Sequence, residues 1–76
     1  MEKISLKKLG HRLRFYRTQK NLTQEALALM CDIDRTYIGR IEKSKRNPSF
    51  LILLKIAKGL GIKISELVDI DSELVY

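Results

Sequence analysis

Leu22-Thr23-Gln24-Glu25-Ala26-Leu27-Ala28-Leu29-Met30-Cys31-Asp32-Ile33-Asp34-Arg35-Thr36-Tyr37-Ile38-Gly39-Arg40-Ile41-Glu42 is the stretch that decides how this chain folds. Thr23 stands directly before an apolar-periodic run, where its hydroxyl can accept from a free N–H of a helix's first turn. Gln24 and Glu25 follow, and the acid lies near the positive end of the helix dipole. Leu27, Ala28 and Cys31 share one helical face. Asp32-Ile33 interrupts the run, and aspartate tolerates a left-handed backbone better than most non-glycine residues. Asp34 then caps a second short helix, from Arg35 to about Lys43, whose apolar side is Ile38 and Ile41. The stretch therefore predicts two short helices joined by a tight turn.

Helical spacing continues in both directions. Upstream, Leu6, Leu9, Leu13 and Tyr16 recur at steps of three and four, with Lys7, Lys8, Arg12 and Arg14 between them. That predicts an amphipathic first helix over about Ser5 to Lys20, ended by Asn21-Leu22. Downstream, Ser44 to Pro48 reads as a basic loop, and Ser49 caps a fourth helix, Phe50 to Leu60, which Gly61 stops from the C′ position. A short fifth helix is expected around Ser65 to Val68. No segment alternates apolar and polar residues with β-branched enrichment, so no strand is expected. The prediction is all-α: one compact five-helix domain with its core in about residues 5–68 and an acidic tail in 69–76.

The chain has 76 residues, enough for one domain with a modest core, so pairing with a second copy would add stability. Its 45% apolar and 32% charged residues fit a soluble globular domain. A single cysteine allows no disulfide within the chain and fits a reducing, cytoplasmic setting. The N-terminus shows no signal peptide, and the longest apolar run, Phe50 to Leu54, is too short to span a bilayer. Net charge is +6, and it is unevenly spread. All fifteen bases but only six of the nine acids fall in residues 1–68, leaving that body at +9. The last eight residues hold Asp69, Asp71 and Glu73 and carry −3. A basic body favours a polyanion, with nucleic acid ahead of an anionic membrane.

The free face of the third helix sharpens that preference. At about 100° per residue, Ile38 and Ile41 centre its core side, and Thr36, Gly39, Arg40 and Lys43 lie opposite, with Arg35 at the edge. This face is polar, basic and free of acids. Arginine can take guanine with two hydrogen bonds, threonine offers a hydroxyl and a methyl, and lysine meets phosphate. Gly39 costs about 1 kcal/mol relative to alanine inside a helix, and a bare spot there would admit a close backbone approach by DNA. Relief of crowding against a neighbouring helix is the alternative account of the same glycine. Lys43-Ser44-Lys45-Arg46-Asn47 follows as a basic loop suited to phosphates.

Four segments resemble the phage-repressor/Cro-type (XRE) helix-turn-helix family: Leu22 to Ala28, Ile33 to Glu42, Arg46-Asn47-Pro48-Ser49, and Lys55 to Ile62. The resemblance covers about residues 5–68, and Asp34-Arg35-Thr36-Tyr37 with the compact length is most similar to the controller proteins of restriction–modification systems. It implies a sequence-specific regulator of transcription, bacterial or phage-encoded and cytoplasmic, that binds double-stranded operator DNA. By the same resemblance Arg35, Thr36, Tyr37 and Arg40 read bases, while Gln24, Lys43, Lys45, Arg46 and Asn47 touch phosphates. Arg17 and Glu42 match an internal ion pair. The chain departs from the pattern at Asp32, where glycine is usual, at Cys31, where leucine is usual, and at Leu29, Met30, Leu51 and Ile52, where polar residues are usual.

A homodimer on a palindromic operator is expected, controlled by its own concentration. On the fourth helix, with Phe50 at zero, Leu53, Leu54, Ala57 and Leu60 centre at about 330° and Lys55 and Lys58 at about 110°, leaving Ile52, Ile56 and Gly59 at about 210°. The seam is accordingly placed at Ile52 and Ile56, with Leu67 of the fifth helix. In the alternative, Ile52 and Ile56 cover Leu67 and Ile70 within one chain. The rival function is an antitoxin-like protein-interaction module using Leu29, Met30, Leu51 and Ile52. His11 and Cys31 lack metal-ligand spacing, and no catalytic set or phosphate-cradling glycine loop is present, so neither enzyme activity, cofactor nor small-molecule ligand is expected.

Overall fold

Local capping chemistry sets the helix boundaries. The structure, a computed structural model, describes residues 2–70, so the acidic residues Asp71 and Glu73 of the tail lie outside the described part. Five helices follow one another: α1 (Glu2–Gln19), α2 (Gln24–Cys31), α3 (Arg35–Glu42), α4 (Phe50–Leu60) and α5 (Ile64–Leu67). The described residues include no strand. Thr23 Oγ1 accepts from the Ala26 amide at 3.0 Å, Asp34 Oδ1 from Thr36 at 2.8 Å and Ser49 Oγ from Ile52 at 3.2 Å. Each such cap contributes about 1 kcal/mol. Asp32 adopts the left-handed conformation at φ 56°, and the following Ile33 amide returns to the Ala28 carbonyl at 2.9 Å. Gly61 ends α4 in the same way at φ 69°. α1 starts three residues before the expected Ser5, since Glu2-Lys3-Ile4 holds no helix breaker.

The core is assembled from all five helices: Leu9 and Leu13 of α1, Leu27, Ala28 and Cys31 of α2, Ile38 and Ile41 of α3, Ile56, Ala57 and Leu60 of α4, and Leu67 of α5. Two glycines let neighbouring helices pack closely. A Cβ on Gly10 would stand 2.6 Å from the Ile41 carbonyl oxygen and 2.8 Å from that of Glu42, so α1 lies directly on the C-terminal end of α3. A Cβ on Gly59 would overlap Cys31 Sγ, so the Cys31 side chain of α2 packs directly on α4 there.

The second crossing corrects the expected use of α4. In the sector of Ile52, Ile56 and Gly59, Gly59 meets Cys31 and Leu27 of α2. Ile56 and Leu67 are both 0% exposed, and Ile52 is half-buried against the same core. Ile56 and Leu67 therefore have no surface to offer a second copy and belong to the core of one chain. Leu54, expected inside, is instead 37% exposed, alongside Phe50 at 64% and Leu51 at 70%. The apolar surface of α4 lies on the side opposite to the one expected.

Two arginines tie the helices together. Arg17 Nε donates to Glu42 Oε2 at 2.6 Å, Nη2 to Oε1 at 3.0 Å and Nη1 to the Leu22 carbonyl at 2.6 Å. The two side chains are only 11% and 5% exposed. This two-point pair joins α1 to the end of α3 and to the α1–α2 turn. Arg12, placed among the polar residues by the sequence reading, is 3% exposed. Its Nε donates to the Glu66 carbonyl at 2.9 Å, and its Nη2 donates to that carbonyl and to the Tyr16 hydroxyl, holding α5 against α1. The guanidinium carbon also lies 5.5 Å from the centre of the Tyr16 ring.

Glu42→Gln removes the negative partner of a nearly buried pair, and such a loss costs about 3 kcal/mol or more. A lower urea midpoint with an unchanged denaturant slope is expected. An unchanged midpoint would show that the pair does not hold α1 to α3.

Candidate nucleic-acid interface

α3 exposes the face that the sequence predicts. Arg35, Thr36 and Arg40 are exposed and Ile38 and Ile41 fully buried, as their spacing requires. Gln24, Arg35, Thr36, Gly39, Arg40 and Lys43 line one shallow concavity of about 310 Å³. Among the described residues, no carboxylate lines it. Two arginines and a lysine around one hollow concentrate positive potential there, because a cleft lined by one sign of charge focuses its field.

Gln24 is held in place rather than left free. Its Nε2 donates to Glu42 Oε1 at 3.2 Å, so the carboxylate that pairs with Arg17 also binds the first residue of α2. A Cβ on Gly39 would come within 3.3 Å of Gln24 Oε1. The glycine thus makes room for the glutamine side chain between α2 and α3, which is the crowding account, and the hollow exists because that space is kept.

The loop after α3 is fixed by its backbone. Lys43 closes the helix, Ser44 adopts a left-handed φ of 63°, and the Lys45 amide donates to the Arg40 carbonyl at 2.8 Å. Pro48 is buried beyond it. Lys43, Lys45, Arg46 and Asn47 are all exposed on this turn. The Arg46 guanidinium lies over the Tyr37 ring, 4.7 Å from its centre, and Tyr37 is itself half-buried against the core. Tyr37 is therefore a platform for Arg46, a contact across nine residues that no periodicity shows. Lys45, Arg46 and Asn47 do not line the α3 hollow but flank it along the loop.

Other chemistry finds little support in the described residues. No group of three or more His, Cys, Asp and Glu is placed to hold a metal ion. Cys31 is buried, and burial pushes its thiol pKa up, away from the reactive thiolate. Among the described residues, no helix is long and apolar enough to cross a membrane.

A family profile described as helix-turn-helix matches residues 13–67. Control protein C.MunI from Mycoplasma sp is 47% identical over 68 residues, spanning 87% of this chain and 92% of that protein. Control protein C.BamHI from Bacillus amyloliquefaciens is 44% identical over 61 residues, spanning 79% of this chain and 75% of that protein. Among solved structures, the restriction-modification controller protein C.AhdI from Aeromonas hydrophila superposes with a TM-score of 0.81 at 47% identity, covering 82% of this chain and 94% of that one. With the profile matched over residues 13–67 and these relatives aligned over more than three quarters of this chain, the chain belongs to the phage-repressor type of helix-turn-helix family.

Proposed function

We propose that the chain is a sequence-specific transcriptional regulator that binds double-stranded DNA as a homodimer, of the controller kind found beside restriction–modification enzymes. The observation that carries this reading is the acid-free hollow on α3, where Arg35, Thr36, Arg40 and Lys43 converge beside Gln24. α3 enters the major groove, as second helices of this motif do. Arg35 and Thr36 open the helix and reach base edges, and Arg40, one turn on, reaches the next ones. Lys43, Lys45, Arg46 and Asn47 follow the phosphates, with Tyr37 orienting Arg46. Gln24 meets the backbone at the start of α2, steadied by Glu42.

Exposed apolar residues support a dimer. Phe50, Leu51 and Leu54 share the outer side of α4, and a patch of that kind on a small domain marks an interface. A two-fold seam there replaces the one expected at Ile56 and Leu67. It places two recognition helices on half-sites about 34–36 Å apart, matching a palindrome. Regulation by the protein's own concentration follows from such a dimer, because assembly and operator binding rise together.

Duplexes selected from a random library separate base readers from anchors. Arg35→Ala is expected to cost about 1–3 kcal/mol and to relax specificity at one base pair per half-site. Arg46→Ala is expected to weaken all sequences alike and to flatten the salt dependence. An unchanged ranking of operator variants in Arg35→Ala would remove its base-reading role. For the dimer, sedimentation of a Leu51→Asp, Leu54→Asp double variant is expected to show a folded monomer. A folded double variant that still sediments as a dimer would place the seam elsewhere.

A further inference from the structure

A second basic cleft lies beside the recognition face, on a helix to which no DNA contact has been assigned. Lys7 and His11 of α1 and Glu42, Lys43, Ser44 and Lys45 of the α3–α4 turn line a cleft of about 440 Å³. The close crossing at Gly10 creates it. With the α1 backbone lying on the Ile41 and Glu42 carbonyls, Lys7 and His11 come up against the turn that follows α3. The left-handed Ser44 and the Lys45-to-Arg40 hydrogen bond fix the opposite wall.

The charge in this cleft is not balanced from within. Among the described residues, Lys7, Lys43 and Lys45 face one lining carboxylate, Glu42. Glu42 Oε2 already accepts from Arg17, and Oε1 from Arg17 and Gln24. Three exposed lysines around a carboxylate already engaged elsewhere form a site for an anion. Lys43 lines both this cleft and the α3 hollow, so the two join into one positive track from the recognition helix onto α1. Lysines act as point charges rather than two-pronged readers, which suits a phosphate rather than a base edge.

We propose that this cleft holds the DNA phosphate backbone flanking the half-site, with Lys7 as a phosphate contact supplied by α1. The proposal rests on the DNA-binding reading above. It extends the footprint beyond the helix-turn-helix and adds affinity that does not depend on sequence.

The test is a salt titration of a library-selected duplex and an unrelated duplex of equal length, followed by fluorescence anisotropy from about 50 to about 200 mM salt. Lys7→Gln is expected to lower the slope of log affinity against log salt by about 0.9 per bound protomer, one phosphate contact each. Both duplexes are expected to weaken by the same factor. Lys7→Arg, which keeps the charge, is expected to retain the parental slope. Lys20→Gln is expected to leave it unchanged, since Lys20 sits at the other end of α1 near Gly61. A parental slope in Lys7→Gln beside a reduced slope in Lys45→Gln would overturn this site and leave the DNA-binding reading standing. A parent protein whose affinity does not depend on salt would overturn both.

Discussion

The carboxylate of Glu42 receives Arg17 from α1 and Gln24 from α2, so three helices converge on one side chain at the C-terminal end of α3. The junction needs α1 to lie within touching distance of the α3 carbonyls, which the missing side chain at Gly10 permits. Its geometry has two consequences. Arg17 and Gln24, both polar and both near the recognition face, become fixed parts of the scaffold. The face of α3 is left to Arg35, Thr36 and Arg40, with Lys43 at its end and no carboxylate among the described residues of the hollow to neutralise them. A recognition helix of eight residues is too short to be stable alone, so its orientation must come from contacts of this kind.

Most of the fold is legible in the sequence because it is written in local chemistry. Thr23, Asp34 and Ser49 each cap the helix they precede, and Asp32 and Gly61 each supply the left-handed residue that ends one. Such signals act within a few residues and need no knowledge of the rest of the chain. α4 is different. Phe50-Leu51-Ile52-Leu53-Leu54 is apolar on every side, so periodicity cannot choose its inner face. The choice falls to a distant contact, Gly59 against Cys31, which turns Ile56 inward and Leu54 outward. Arg12 is a related case with a readable clue. It lies three residues after Leu9 and four before Tyr16, on the apolar stripe itself, which marks a buried arginine rather than a solvated one.

The candidate site divides along the same line. The exposed residues of α3 follow from the spacing of Ile38 and Ile41, since fixing the buried side of a helix fixes the free one. Contacts between separate elements do not follow from spacing. The Gln24 side chain beside Gly39, the Arg46 guanidinium over Tyr37 and the placing of Lys7 and Lys45 on one cleft all depend on how the helices cross. These contacts determine which cations are held in fixed positions and which move with solvent, and so how ready the surface is for a polyanion. The pair Tyr37–Arg46 matters most here, because a guanidinium resting on an aromatic ring loses less freedom on binding than one on an unsupported stem.

On the proposed reading, DNA lies along the α3 hollow and the turn that follows it. Titration of the isotope-labelled protein with a selected duplex, followed by amide chemical shifts, tests this residue by residue. The account predicts that the largest shifts fall at Gln24 and Glu25 and from Arg35 to Asn47, while the outer face of α2 around Leu29, which is 83% exposed, stays unperturbed. Large shifts centred on Leu29 and Met30, with α3 unmoved, would contradict it.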